Sequence, residues 1–130
     1  MTTVTTLTTL FRAWFAAAIV LGSAASASAF EWVSKIDLSV EQDSQLVRDL
    51  PNNGFVPIYS KVTVGAENKL SIDVVYAKPL DVEWQYRRYD DYDYGPKAEE
   101  FVENGFKLVS HQTYLVENVT WHCAIWHKAK

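Results

Sequence analysis

The chain has 130 residues, with 16 Asp and Glu against 12 Lys and Arg, and one cysteine. A formal charge of −4 argues against nucleic acid or an anionic membrane as the main partner. With Cys123 alone no disulfide closes within the chain, so packing has to hold the fold, and the tryptophans (five, one of them Trp14 near the start) and seven tyrosines provide large apolar surfaces for it.

The first stretch reads as an address, not as part of the fold. Arg12 is the only charge before Glu31, the apolar run from Trp14 to Leu21 follows, and small residues end in Ala27-Ser28-Ala29. That order is the pattern of a secretory signal peptide. The apolar run is well short of the ~20 residues that a spanning helix needs. The expectation is a leader over residues 1–29, a mature chain from Phe30, and a secreted or periplasmic protein without membrane contact after cleavage. About 100 residues then remain, enough for one compact domain. A lone exported cysteine either pairs with another chain or serves as a small buried hydrophobe.

In chain order, Trp32 to Leu38 reads as a short strand. Ser39 with Gln42 three residues on forms a capping box. A helix is expected to about Leu50, with Val40, Leu46, Val47 and Leu50 on one side. Pro51-Asn52-Asn53-Gly54 stops it. Phe55 to Val64 reads as a strand, Gly65 to Asn68 as a turn, and Leu70 to Ala77 as the return strand. Val82, Trp84 and Tyr86 alternate as another strand. Asp90 to Gly95 reads as an inserted polar loop, Pro96 as the first turn of a helix, and Glu99 and Glu100 as acidic residues near its positive end. Gly105 ends that helix, and a hairpin follows to the end of the chain.

The second half repeats the first. Glu31-Trp32 recurs as Glu83-Trp84, Asn53-Gly54-Phe55 as Asn104-Gly105-Phe106, and Val75-Tyr76-Ala77-Lys78 as Ile125-Trp126-His127-Lys128, at offsets of 52, 51 and 50. The expected fold is α+β, two tandem β-α-β-β repeats over residues 30–80 and 81–130, with antiparallel hairpins covered by two helices. The segments Trp32 to Gln42, Gly105 to Val109 and Ala124 to Lys128 resemble the bacterial tandem repeat domain family. Its modules also form the N-terminal part of polyglycine hydrolases, which are secreted serine proteases. The resemblance implies repeated helix-plus-strand units and secretion. In those proteases the catalytic serine lies in a separate β-lactamase-like domain, and no Ser-x-x-Lys occurs in this chain. It therefore implies an accessory or binding module, not an enzyme.

The closing hairpin holds all three histidines and the cysteine. A tight turn at Glu117-Asn118 sets Thr113 opposite His122 and His111 opposite Ala124, so His111 and His122 become diagonal neighbours on one face. His127 and Cys123 fall on the other face, Cys123 opposite Gln112 rather than a histidine. Two histidines alone lack the third and fourth ligands of a zinc site, so His111 and His122 are candidates for a small ligand or metal and no cofactor is assigned. Asp90, Asp91 and Asp93 offer closely spaced oxygens, but the EF-hand pattern is absent. Tyr89, Tyr92 and Tyr94, alternating with aspartates, suit a contact surface. Trp32 with Trp84, and Tyr76 with Trp126, are equivalent pairs expected in the core. Trp121 opposite Tyr114 suits a stacking platform. Asn118-Val119-Thr120 matches a glycosylation sequon. The expected function is that of an exported, non-enzymatic module that binds a protein, a peptide or a second copy of itself. The alternatives are a small-ligand or metal-binding module centred on His111 and His122, and an accessory module of a hydrolase system.

Overall fold

A computed structural model describes residues 29–130. The expected leader, residues 1–29, lies outside the described residues except for Ala29. Over the described residues the protein is mixed α+β, with two three-stranded antiparallel sheets and two α-helices. Sheet 1 has the order β1-β3-β2, from β1 (Glu31–Leu38), β2 (Val56–Val64) and β3 (Leu70–Lys78). Sheet 2 has the order β4-β6-β5, from β4 (Val82–Asp90), β5 (Lys107–Val116) and β6 (Val119–Ala129). Helix α1 (Val40–Asp49) packs on β3 and β1, and α2 (Asp91–Glu103) on β6 and β4. Among the described residues no helix is long and apolar enough to cross a membrane.

Local chemistry sets the boundaries. Ser39 Oγ accepts from the Gln42 backbone N–H and the Gln42 side chain accepts from the Ser39 N–H, a complete capping box at α1. Pro51 does not stop the chain at once. It sits early in a 3-10 turn, Leu50–Asn53, where a missing N–H costs nothing, and Gly54 at φ 87° ends it. Gly105 at φ 93° does the same after α2. In both places a lysine from the last strand of the sheet lies over the following phenylalanine, Lys78 over Phe55 and Lys128 over Phe106. A Cβ on Gly105 would come within 3.3 Å of Lys128 Cε, so the glycine also makes room for that lysine.

The core gathers Val62, Ile72, Val74 and Tyr76 from sheet 1 with Tyr86, Cys123 and Ile125 from sheet 2. Side chains of sheet 2 also meet the outer backbone edge of β2. The Gln112 amide accepts from Val62 N at 2.6 Å and donates to Val62 O at 2.7 Å. Ser110 Oγ accepts from Ser60 N, and His127 Nε2 donates to the Pro57 carbonyl at 2.8 Å.

Several expectations require correction. Asp91 to Gly95 is not a loop but the opening of α2. Asp90 caps that helix by accepting from Asp93 N at 2.9 Å, and Asp91 and Asp93 are the acidic residues of its first turn. Pro96 therefore lies inside the helix, and Glu99 and Glu100 lie in its second half. Trp32 is not a core residue: it is 67% exposed and packs edge-on against Phe30, whereas Trp126 is buried and Trp84 partly so. Val40 is exposed, and the residue that α1 buries is Asp43.

Candidate functional site

The hairpin turn at Glu117 and Asn118 has φ of 49° and 67°, the left-handed pair that a two-residue hairpin loop requires. That turn fixes the register: Thr113 pairs with His122, His111 with Ala124, Gln112 with Cys123 and Tyr114 with Trp121. Strand alternation then puts His111 and His122 on the face under α2, and Trp121, Cys123 and His127 on the face toward α1.

On the α2 side, His111 Nε2 and His122 Nδ1 share a hydrogen bond of 2.9 Å. Their ring planes lie within 5° and their centroids 5.2 Å apart. With a nitrogen separation that short, the rings meet edge to edge, nearly coplanar. The second nitrogen of His122, Nε2, donates to Asp91 Oδ1 at 2.7 Å. Asp91 and Tyr94 are three residues apart on α2 and share a side of it. Tyr94 lies flat over both imidazoles, 4.1 Å from His122 and 4.9 Å from His111 between centroids. One turn pair further, Phe101 packs on Trp126. His122 is buried and His111 exposed. Burial, and then the neighbouring His122, push the His111 pKa below its ordinary value. Burial raises that of Tyr94.

The α1 side is polar at its centre. Asp43, 2% exposed, meets Arg88 Nη1 at 3.0 Å and accepts from Tyr86 Oη at 3.1 Å. Tyr86 Oη in turn bonds Ser60 Oγ at 2.7 Å, and Cys123 Sγ donates to the same Ser60 Oγ. Burial raises the Tyr86 phenol well above its usual range and also raises the Cys123 thiol. Burial is the largest single effect on Arg88 and opposes its charge, but the hydrogen bond to Asp43 and the nearby acidic groups together hold its pKa above the usual range. Beside this chain of bonds the surface opens into two hollows that share Arg88 and Trp121. One, about 500 Å³, runs past Ser44, Arg48 and Arg87. The other, about 270 Å³, is lined by Leu70, Tyr114 and Val116 and is mostly apolar.

The residues picked from sequence thus fall into two groups. His111, His122 and Tyr94 come together under α2, and Tyr114 and Trp121 stand together toward α1. Tyr89, Tyr92 and Tyr94 do not form one surface. Tyr92 points to solvent at 87% exposure, Tyr94 covers the histidines, and Tyr89 is a strand residue paired with His122. Asp90, Asp91 and Asp93 do not converge, and among the described residues no cluster of three or more His, Cys, Asp or Glu is arranged to hold an ion. Cys123 is a buried free thiol. Sequence reasoning missed Asp43, Arg88 and the role of Asp91. The first had a signal: positions 43, 46, 47 and 50 share one helical stripe, so Asp43 is a charge on an apolar face.

No protein-family model, no curated protein and no solved structure matches this chain.

Proposed function

We propose that the chain is an exported, non-enzymatic binding module made of two copies of a β-α-β-β unit, and that it holds a protein or peptide segment in the groove beside Trp121. The duplication is supported by the common strand order of the two sheets and by their registers. Trp32 pairs with Ala77 as Trp84 does with His127, and Val62 with Ile72 as Thr113 does with His122. The Gly-Phe-Lys arrangement also recurs, and the two buried side-chain polar atoms without a hydrogen-bond partner among the described residues, Tyr76 Oη and Trp126 Nε1, occupy matching positions. The resemblance to the bacterial tandem repeat domain is the same proposal at the level of family.

The observation that carries the binding role is Trp121, which stands where the polar and the apolar hollow meet. Asp43 already occupies Arg88, so Arg87 and Arg48 are the cations left to face a ligand. The groove fits a segment with an apolar side chain for the Tyr114 hollow and an acidic group within reach of those arginines. The test is a peptide array of acidic-apolar sequences, followed by calorimetry on the hits. Trp121→Ala is expected to weaken a bound peptide by at least about tenfold, the scale of a central aromatic anchor, while Tyr92→Ala leaves it unchanged. Equal affinity in Trp121→Ala and in the wild type would discard the groove as the site. Size analysis of the free protein separates self-association from binding of a different partner.

A further inference from the structure

The pair under α2 takes no part in the groove, because His122 and Trp121 are successive residues on opposite faces of β6. We infer that His111 and His122 form a transition-metal site with copper as its preferred ion. Asp91 decides the chemistry of His122. A carboxylate oxygen at 2.7 Å keeps the proton on Nε2, so Nδ1 carries the lone pair, and Nδ1 is the atom turned toward His111. A carboxylate behind the distal nitrogen is the support that metal-bound histidines commonly have, fixing the ring and raising its basicity. When His111 takes the tautomer with its proton on Nδ1, two nitrogen lone pairs converge on one point and require a cation between them. Either a shared proton or a metal ion meets that need.

The spacing suits neighbouring positions on a tetragonal copper ion: with metal–nitrogen bonds of about 2.0 Å, two such ligands sit about 2.8 Å apart, against 2.9 Å here. What has to change is direction, because the rings meet nearly head-on and His111 must pivot to aim its lone pair at a shared ion. His111 is the exposed member and has room to move, while His122 is held by Asp91 and covered by Tyr94. The cross-strand neighbours Thr113, Ala124 and Tyr89 are neutral, and Arg87, the nearest cation in register, lies across β6 opposite Ala124, exposed and lining the hollow toward α1. The protein supplies two nitrogens and solvent the remaining ligands. Imidazole donors without thiolate or further carboxylate bind copper(II) ahead of zinc, in the order that divalent metals follow at nitrogen sites.

The purified protein is titrated with Cu(II) and separately with Zn(II), by calorimetry, with paramagnetic resonance on the copper form. The expected result is one copper per chain, with nitrogen coupling in the spectrum, and zinc bound at least about tenfold more weakly. Asp91→Asn, which touches no metal, is expected to weaken copper by about 10–100-fold with circular dichroism unchanged. His111→Gln and His122→Gln are each expected to abolish the nitrogen-coupled signal, and His127→Gln to preserve it. Should His122→Gln fail to fold, the exposed His111 decides the matter alone. Absence of saturable copper binding, or binding unchanged in His111→Gln, would overturn the site. Zinc bound as tightly as copper would overturn the metal assignment.

Discussion

Asp43 and His111 show how single ionisable side chains couple stability to their surroundings. Asp43 is almost fully buried, and its partners Arg88 and Tyr86 point inward with it. Removing one member of such a group strands the others without solvent. Asp43→Ala is expected to cost about 3 kcal/mol, the low end for a broken buried pair because the Arg88 side chain keeps 23% exposure. A urea unfolding midpoint measures it, and Asp43→Asn, which keeps an acceptor for Tyr86, should lose less. His111 acts through protons. Its pKa in the folded protein lies below its unfolded value, so between the two the unfolded chain binds more protons. Stability is then fully present above the ordinary histidine range and is lost as pH falls through about 6.5 toward the folded value. Thermal melts from about pH 8 to about pH 5 should show this decline, and His111→Gln should flatten it.

At the scale of elements, legibility followed how local the governing chemistry was. The last hairpin could be read residue by residue, because a two-residue turn fixes register and register fixes faces. That was enough to place His111 beside His122 and Tyr114 beside Trp121. The start of α2 could not be read, because Asp91-Tyr92-Asp93-Tyr94-Gly95-Pro96 is composed of weak helix formers. What makes it helical is the Asp90 cap together with tertiary contacts, Asp91 on His122 and Tyr94 on both rings, and none of those contacts is visible in one strand of text. A helix there also separates Tyr92 from Tyr94, since residues two apart point to nearly opposite sides. Gly105 is a local feature with a long-range reason. Gly105→Ala would place a side chain at φ 93° and crowd Lys128, and a loss of about 1–2 kcal/mol in thermal or urea unfolding is expected.

For the whole molecule, the decisive arrangement is that the two sheets meet through one shared core and one line of side-chain bonds to β2. The pairing of Ser60 with Tyr86, and of Asp43 with Arg88, joins residues 26 and 45 positions apart, so each half completes the polar interior of the other. Periodicity within each half announced the strands and, in Leu46, Val47 and Leu50, most of the inward face of α1. It could not announce which polar residues would meet across the seam, because that depends on how the halves pack. Asp43 and Ser60 each sit among apolar neighbours, and only the opposite half explains them.

The Gln112 amide, bonded to both the N–H and the C=O of Val62, has a consequence for colloidal behaviour. An open strand at the margin of a sheet is a template on which a neighbouring molecule can lay its own strand, the first step toward ordered aggregates. Gln112 presents a side-chain amide in the place where that incoming peptide group would bond, and Ser110 and His127 occupy the backbone groups of Ser60 and Pro57, earlier on the same strand. A protein without a disulfide thus keeps β2 from recruiting other chains by covering its margin with three side chains of its own.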